Sequence, residues 1–172
     1  DTREGLRNIA IKSYLKAIEQ DGMDEVAIIT PRKENCENST LEINIRLSDI
    51  LLNKKGKTMK LGKKEYLIGS KVMQIDNNYE KNVFNGEVGY ITNIEEVQNG
   101  KEKTLEFTVE FKMNDQTKVI TYTRSELDQL DLAYAMTIHK SQGSGYKTVI
   151  ILIDMTHYTL LDTCLLYTAI TR

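Results

Sequence analysis

The sequence predicts an α/β layer interrupted by a small antiparallel β-barrel. Three observations carry this expectation. Helix-like and strand-like segments alternate at the start of the chain. From Tyr66 to Thr123 the pattern changes to short alternating strands and turn dipeptides. After Leu127, apolar strand-like runs return around one polar loop. On this division residues 1–60 and 127–172 form the α/β domain, and residues 61–126 form the inserted barrel.

The first element is a helix. Asp1 and Glu4 have capping-box spacing, and Leu6, Ile9, Ala10, Tyr14, Ala17 and Ile18 share a predicted face. Asp21-Gly22 ends it. EVAIIT (Glu25–Thr30) is a continuous apolar run stopped by Pro31, which suits a buried parallel strand. Ser39 and Glu42 form a second capping box, opening a helix through Leu41, Ile45 and Leu52. KKGKTMKLGKK (Lys54–Lys64) reads as a basic connector without an acid. A charge run of this kind is a solvated face or a track for a nucleic-acid backbone.

In the inserted region, Leu105, Phe107, Val109, Phe111 and Met113 alternate with Glu106, Thr108, Glu110 and Lys112, as in a half-exposed antiparallel strand. Asn85-Gly86, Asn99-Gly100 and Asn114-Asp115 are turn signals. Tyr79 and Phe84 suit either base stacking or closure of the barrel core, and general burial favours the core. Beyond it, LDLAYAMTI and KTVIILI are strand-like, and residues 162–172 look helical.

Composition sets outer limits. The 172 residues suffice for one domain, or a small one carrying an insert. Apolar content of 40% with 28% charge supports a packed core and excludes wholesale disorder. The apolar run near Thr148–Ile153 is too short to span a bilayer, and no leader-like segment opens the chain, so no membrane partner is expected. Cys36 and Cys164 lack metal-ligand spacing, which points away from a metal site and towards a reducing, cytoplasmic setting. With a net charge of −2, any nucleic-acid contact must come from a local patch. Both ends, at Asp1 and Arg172, are expected to be cuts in a longer protein.

GKT (Gly56–Thr58) imitates a phosphate-binding loop. A true one needs a glycine where this chain has Leu51, inside the second predicted helix. The pentad His139-Lys140-Ser141-Gln142-Gly143 is more informative. It follows a strand-like run, at the carboxyl end where ligands bind in open α/β sheets. Its side chains are of the types that grip phosphate oxygens, and Gly143 permits close backbone approach. Residue chemistry alone leaves it open between a ligand-contacting loop and a plain surface loop.

Four stretches in order resolve that choice through resemblance. TIHKSQG (Thr137–Gly143) and LLYTAITR (Leu165–Arg172) resemble motifs V and VI of superfamily 1 helicases, most closely the RecD-like branch of exodeoxyribonuclease V alpha-subunit type. AIITPRK (Ala27–Lys33) resembles the motif IV region of that branch. GSKVMQIDNNYEKNVFNGEVG (Gly69–Gly89) resembles the segment opening its inserted SH3-like barrel.

The resemblance implies the second of two RecA-like (P-loop NTPase-type) helicase domains, split by the barrel, in an ATP-dependent DNA helicase. Thr137, His139, Lys140 and Ser141 would lie against single-stranded DNA. Gln142 and Gly143 would face the nucleotide, with Lys33, or else Arg32, as a second cation near the phosphates. Arg172 would be the arginine finger. ATP and magnesium would be bound mainly by an N-terminal RecA-like domain, since this chain has no P-loop and would be inactive alone. Nuclease subunits are a further implied partner. The family usually carries a glutamate where this chain has Gly145. Alternatives are an RNA helicase of the same superfamily, or a non-catalytic binding module built on the barrel.

Overall fold

The computed structural model describes residues 3–52, 57–99, 102–113, 116–141, 145–160 and 163–171. They divide into two compact units, Asp1–Leu47 with Tyr134–Arg172, and Ser48–Ala133.

In the first unit, α1 (Arg3–Asp21) ends where Gly22 takes a φ of 88°, a conformation that glycine adopts without strain. Its buried face is Arg7, Ala10, Ile11, Tyr14 and Ala17. Ile9, expected inside, is 63% exposed. The stripe is therefore rotated from the predicted one, and buried Arg7 donates from Nη1 to the Glu37 carbonyl at 2.9 Å. The apolar run becomes β1 (Val26–Thr30), buried at every position. α2 (Thr40–Leu51) begins beyond Ser39, whose Oγ accepts the Glu42 N–H at 3.4 Å. β9 (Ala135–Thr137) and β10 (Thr148–Ile151) complete the sheet after the insert, whose strands are numbered between β1 and β9, and α3 (Thr163–Ile170) follows.

The sheet order is β10-β1-β9, parallel throughout. Continuous apolar sequence in β1 follows from neighbours on both sides, and α1 packs against β1 and β10. The outer edge of β9 is closed by Asn44 of α2. Its Nδ2 donates to Ala135 O at 2.8 Å, and its Oδ1 accepts Ala135 N–H at 2.7 Å. One buried amide thus substitutes for a neighbouring strand. Asn44→Ala leaves both backbone groups unpaired, at about 1–3 kcal/mol each, so urea unfolding is expected to show a loss of about 2–4 kcal/mol. A loss below about 0.5 kcal/mol would exclude this role.

The second unit is antiparallel. β2 (Thr58–Leu61) and β3 (Lys64–Leu67) form a hairpin around Gly62, which has a φ of 60°. From Thr58 the lysine-rich stretch is therefore a paired hairpin rather than a connector, while residues 54–56 lie outside the described residues. β4 (Lys71–Gln74), β5 (Val88–Asn99), β6 (Glu102–Met113), β7 (Gln116–Thr123) and β8 (Leu130–Leu132) form a sheet ordered β7-β6-β5-β4-β8. Phe107, Val109 and Phe111 are buried as the alternation predicts. Phe107 stacks on Tyr122 at 5.3 Å, and Tyr66 completes the aromatic core by donating its hydroxyl to Leu130 O at 2.8 Å.

Three sequence expectations change here. The described strands do not close into a barrel, because β7 and β8 remain unpaired edges and the β2–β3 hairpin is a separate sheet. LDLAYAMTI is two strands serving different units, β8 and then β9. The compact insert runs 48–133 rather than 61–126, because the hairpin and the β4–β8 pairing draw both flanks into it. Gly89 of the N-G-E-V-G stretch has a steric reason to be glycine. A Cβ there would lie 2.4 Å from Glu110 O on β6.

Candidate nucleic-acid and nucleotide site

The candidate residues of the first unit cluster by strand register. Thr30 of β1 lies opposite Thr137 of β9, and Ile29 lies opposite Ile151 of β10. The three strands therefore end together, and the segments leaving them share one edge of the sheet. β1 has later strands on both sides, so chain direction switches there. This is the position at which open α/β sheets bind ligands.

Beyond β9 the chain makes a tight turn. Thr137 Oγ1 accepts the Lys140 N–H at 3.4 Å, and Ser141 N–H donates to Thr137 O at 3.1 Å. Ile138 is buried, while His139 is exposed and Lys140 is half-buried. Ser141, expected against DNA, is fully buried, and its Oγ donates to Ile138 O at 2.7 Å. Its hydroxyl shapes the turn that presents His139 and Lys140. Gln142, Gly143 and Arg172 lie outside the described residues. At Gly145 an added Cβ meets nothing within 4 Å, so a side chain of the family's usual kind has room.

Beyond β1, Arg32 is half-buried and Lys33 is exposed. Arg32 Nη2 donates to Thr159 Oγ1 at 3.5 Å, while its buried Nε has no partner among the described residues. An unpaired buried N–H is costly, so a guanidinium held this way suits an external acceptor.

Beyond β10, Asp154 N–H donates to His157 Nδ1 at 3.1 Å, and Asn38 Nδ2 donates to Asp154 Oδ2 at 2.5 Å. His157 is fully buried, with Nε2 3.8 Å from Cys36 Sγ. Burial holds its imidazole below the usual pKa. Asp154 pulls the other way, and Arg32 adds to the lowering. The neutral ring's contribution to stability is thus present above the ordinary histidine pKa, about 6.5, and is lost as pH falls towards the lowered folded value. Sequence gave no warning of this group, since Asn38 and Cys36 lie 116 and 121 residues from their partners.

The second unit has its own candidate surface. Tyr79 is 77% exposed and Phe84 37% exposed, with centroids 5.9 Å apart at 73°. They do not close the core, because buried Val83 anchors their loop in their place. Asn78 and Val83 exchange backbone hydrogen bonds at 2.8 and 3.0 Å. Lys118 lies 5.7 Å from the Phe84 ring centre and pairs with Glu87 at 3.1 Å. At the other flank, Lys81 Nζ donates to Glu126 at 2.6 Å and to Thr121 O at 2.7 Å.

Comparison with known proteins finds matches to both parts of the chain. A family model described as the ATP-dependent RecD-like DNA helicase SH3 domain matches residues 43–111, and the UvrD-like helicase C-terminal domain matches residues 132–172. The ATP-dependent RecD2 DNA helicase of Deinococcus radiodurans is 30% identical over 98% of this chain and 21% of its own length. The RecBCD enzyme subunit RecD of Buchnera aphidicola subsp. Acyrthosiphon pisum is 33% identical over 80% of this chain and 21% of its own. The chain thus spans about a fifth of these relatives.

Solved structures share the fold. Pif1 helicase from Bacteroides, in complex with ADP-AlF3 and ssDNA, superposes with a TM-score of 0.52 at 23% identity, covering 100% of this chain and 43% of that one. Pif1 in a structure of DNA unwinding at forked dsDNA gives 0.55 at 22% identity, over 99% and 44%. With two helicase models matched in order and relatives aligned across both, the chain belongs to the RecD-like superfamily 1 DNA helicases and corresponds to their C-terminal region.

Proposed function

We propose that this chain is the C-terminal, RecA-like portion of an ATP-driven DNA helicase, working against an N-terminal RecA-like domain that holds the P-loop. The observation that carries the reading is the common edge of β1, β9 and β10, which gathers Arg32, Thr137, His139 and Lys140. His139 and Lys140 contact the backbone of single-stranded DNA, with Thr137 and Ser141 holding their turn. Gln142 and Gly143 link that grip to the nucleotide, Arg32 and Lys33 supply positive charge beside it, and Arg172 is the arginine finger.

This donor set suits phosphate oxygens rather than a metal ion. Asp154, beyond β10, is engaged by Asn38. Magnesium, bound with ATP, would therefore take its protein ligands from the N-terminal domain, where it neutralises phosphate charge. The exposed Tyr79–Phe84 pair of the second unit suits stacking on a nucleic-acid base, since every base offers a π-face. A nuclease assembly and a cytoplasmic location belong to the proposal. Among the described residues no helix is long and apolar enough to cross a membrane.

Salt dependence of single-strand affinity in the intact helicase tests the backbone grip. Removal of one phosphate contact by Lys140→Ala is expected to reduce the slope of log affinity against log salt by roughly 0.7. An unchanged slope would remove Lys140 from the DNA path. RNA oligomers of matched length distinguish the RNA-helicase alternative, and a protein-recruiting module predicts no strand affinity at all.

A further inference from the structure

The segments leaving β1 and β10 are tied by a chain of buried and part-buried hydrogen bonds that the helicase activity does not itself require. Thr30 Oγ1, at the end of β1, donates to Asn38 O at 2.9 Å. Asn38, 1% exposed, donates through Nδ2 to Asp154 Oδ2. Asp154 N–H then donates to Nδ1 of the fully buried His157. Since Nδ1 accepts, the neutral ring carries its proton on Nε2, which is directed to Cys36 Sγ in the same loop as Asn38. Arg32 Nη2 to Thr159 Oγ1 adds a further tie.

The location of these bonds matters more than their number. One end is the loop carrying Arg32 and Lys33. The other is the 3-10 turn Met155–Leu160, which leads in sequence to α3 and then to Arg172. Two cations that act on one phosphoryl group must keep a fixed spacing, and a displacement of about 1 Å far from the chemistry can cost about a hundredfold in rate.

We propose that Asn38, Asp154 and His157 are positioning residues for phosphoryl transfer, forming a clasp that sets the Arg32 loop against the segment leading to Arg172. The proposal rests on the helicase reading above. The clasp's three side chains are buried and engaged with one another, so it acts on turnover rather than on binding.

An exchange of partners in the intact helicase tests it. Asn38→Asp sets two carboxylates together, whereas Asn38→Asp combined with Asp154→Asn restores one donor and one acceptor in reversed order. The single variant is expected to lower kcat of single-strand-stimulated ATP hydrolysis between about tenfold and a hundredfold, with KM for ATP and DNA affinity within about twofold. The exchanged pair is expected to recover kcat to within about threefold of wild type.

His157 provides an independent arm if Asn38→Asp does not fold. His157→Phe keeps a ring without its nitrogens and is expected to lose kcat similarly. His157→Gln offers an acceptor and a donor again and is expected to retain it. Thermal unfolding of each variant separates folding from positioning. Recovery of thermal stability without recovery of kcat would overturn the clasp, and so would unchanged kcat in both single variants. Absence of single-strand-stimulated hydrolysis in the wild-type protein would instead refute the helicase reading beneath it.

Discussion

Arg172→Ala is expected to lower the single-strand-stimulated ATPase rate of the intact helicase by about 10³–10⁵, the range for loss of an arginine finger. Negative charge spreads over the oxygens of the transferring phosphoryl group, and a planar guanidinium presents paired donors to them. Arg172→Lys retains charge but not the fork, so little recovery is expected. The interaction belongs to the transition state. KM for ATP and affinity for DNA should therefore stay within a few-fold while kcat falls. Single-turnover kinetics at saturating DNA and ATP would show this directly. A rate within about threefold of wild type would mean that the LLYTAITR stretch (Leu165–Arg172) does not supply a finger.

The second large effect is expected at Arg32 rather than at its neighbour Lys33. Lys33 is exposed, whereas Arg32 is half-buried, tied to Thr159, and left with a buried Nε lacking a partner among the described residues. A preorganised cation near transferring phosphate is worth about 10²–10³ in rate when its donor is removed. Arg32→Ala is therefore expected to lower kcat by about a hundredfold, and Lys33→Ala by less than about threefold. Steady-state kinetics on the two variants side by side distinguishes them. A reversed order would return the nucleotide-facing role to Lys33, as sequence resemblance alone suggests.

Sequence carried the parts of the fold that depend on local pattern. The run from Val26 to Thr30 announced a strand buried on both sides, Ser39 and Glu42 announced the start of a helix, and alternation from Leu105 announced β6. It failed where a segment's role depends on distant partners. Local periodicity could not show that Leu130–Leu132 pairs with β4 while Ala135–Thr137 pairs with β1. Burial preference placed Tyr79 and Phe84 in the core, but Val83 occupies that place.

The candidate site divides in the same way. His139 and Lys140 were legible because they sit contiguously after a strand. The Asn38–Asp154–His157 group was not, because its members meet only when β1 and β10 lie side by side. Ser141 illustrates a third case. Its polarity suggested an external ligand, but a hydroxyl two residues beyond an exposed histidine satisfies the turn's own carbonyl.

The most direct measurement is ATP hydrolysis by the intact wild-type protein, with and without single-stranded DNA, beside an RNA strand of equal length. The proposed function requires a rate that rises at least about tenfold with DNA, saturates with strand concentration, and weakens with added salt. A rate indifferent to either strand, with no strand bound at low salt, would contradict it. The shared edge of β1, β9 and β10 would then serve some purpose other than a DNA motor.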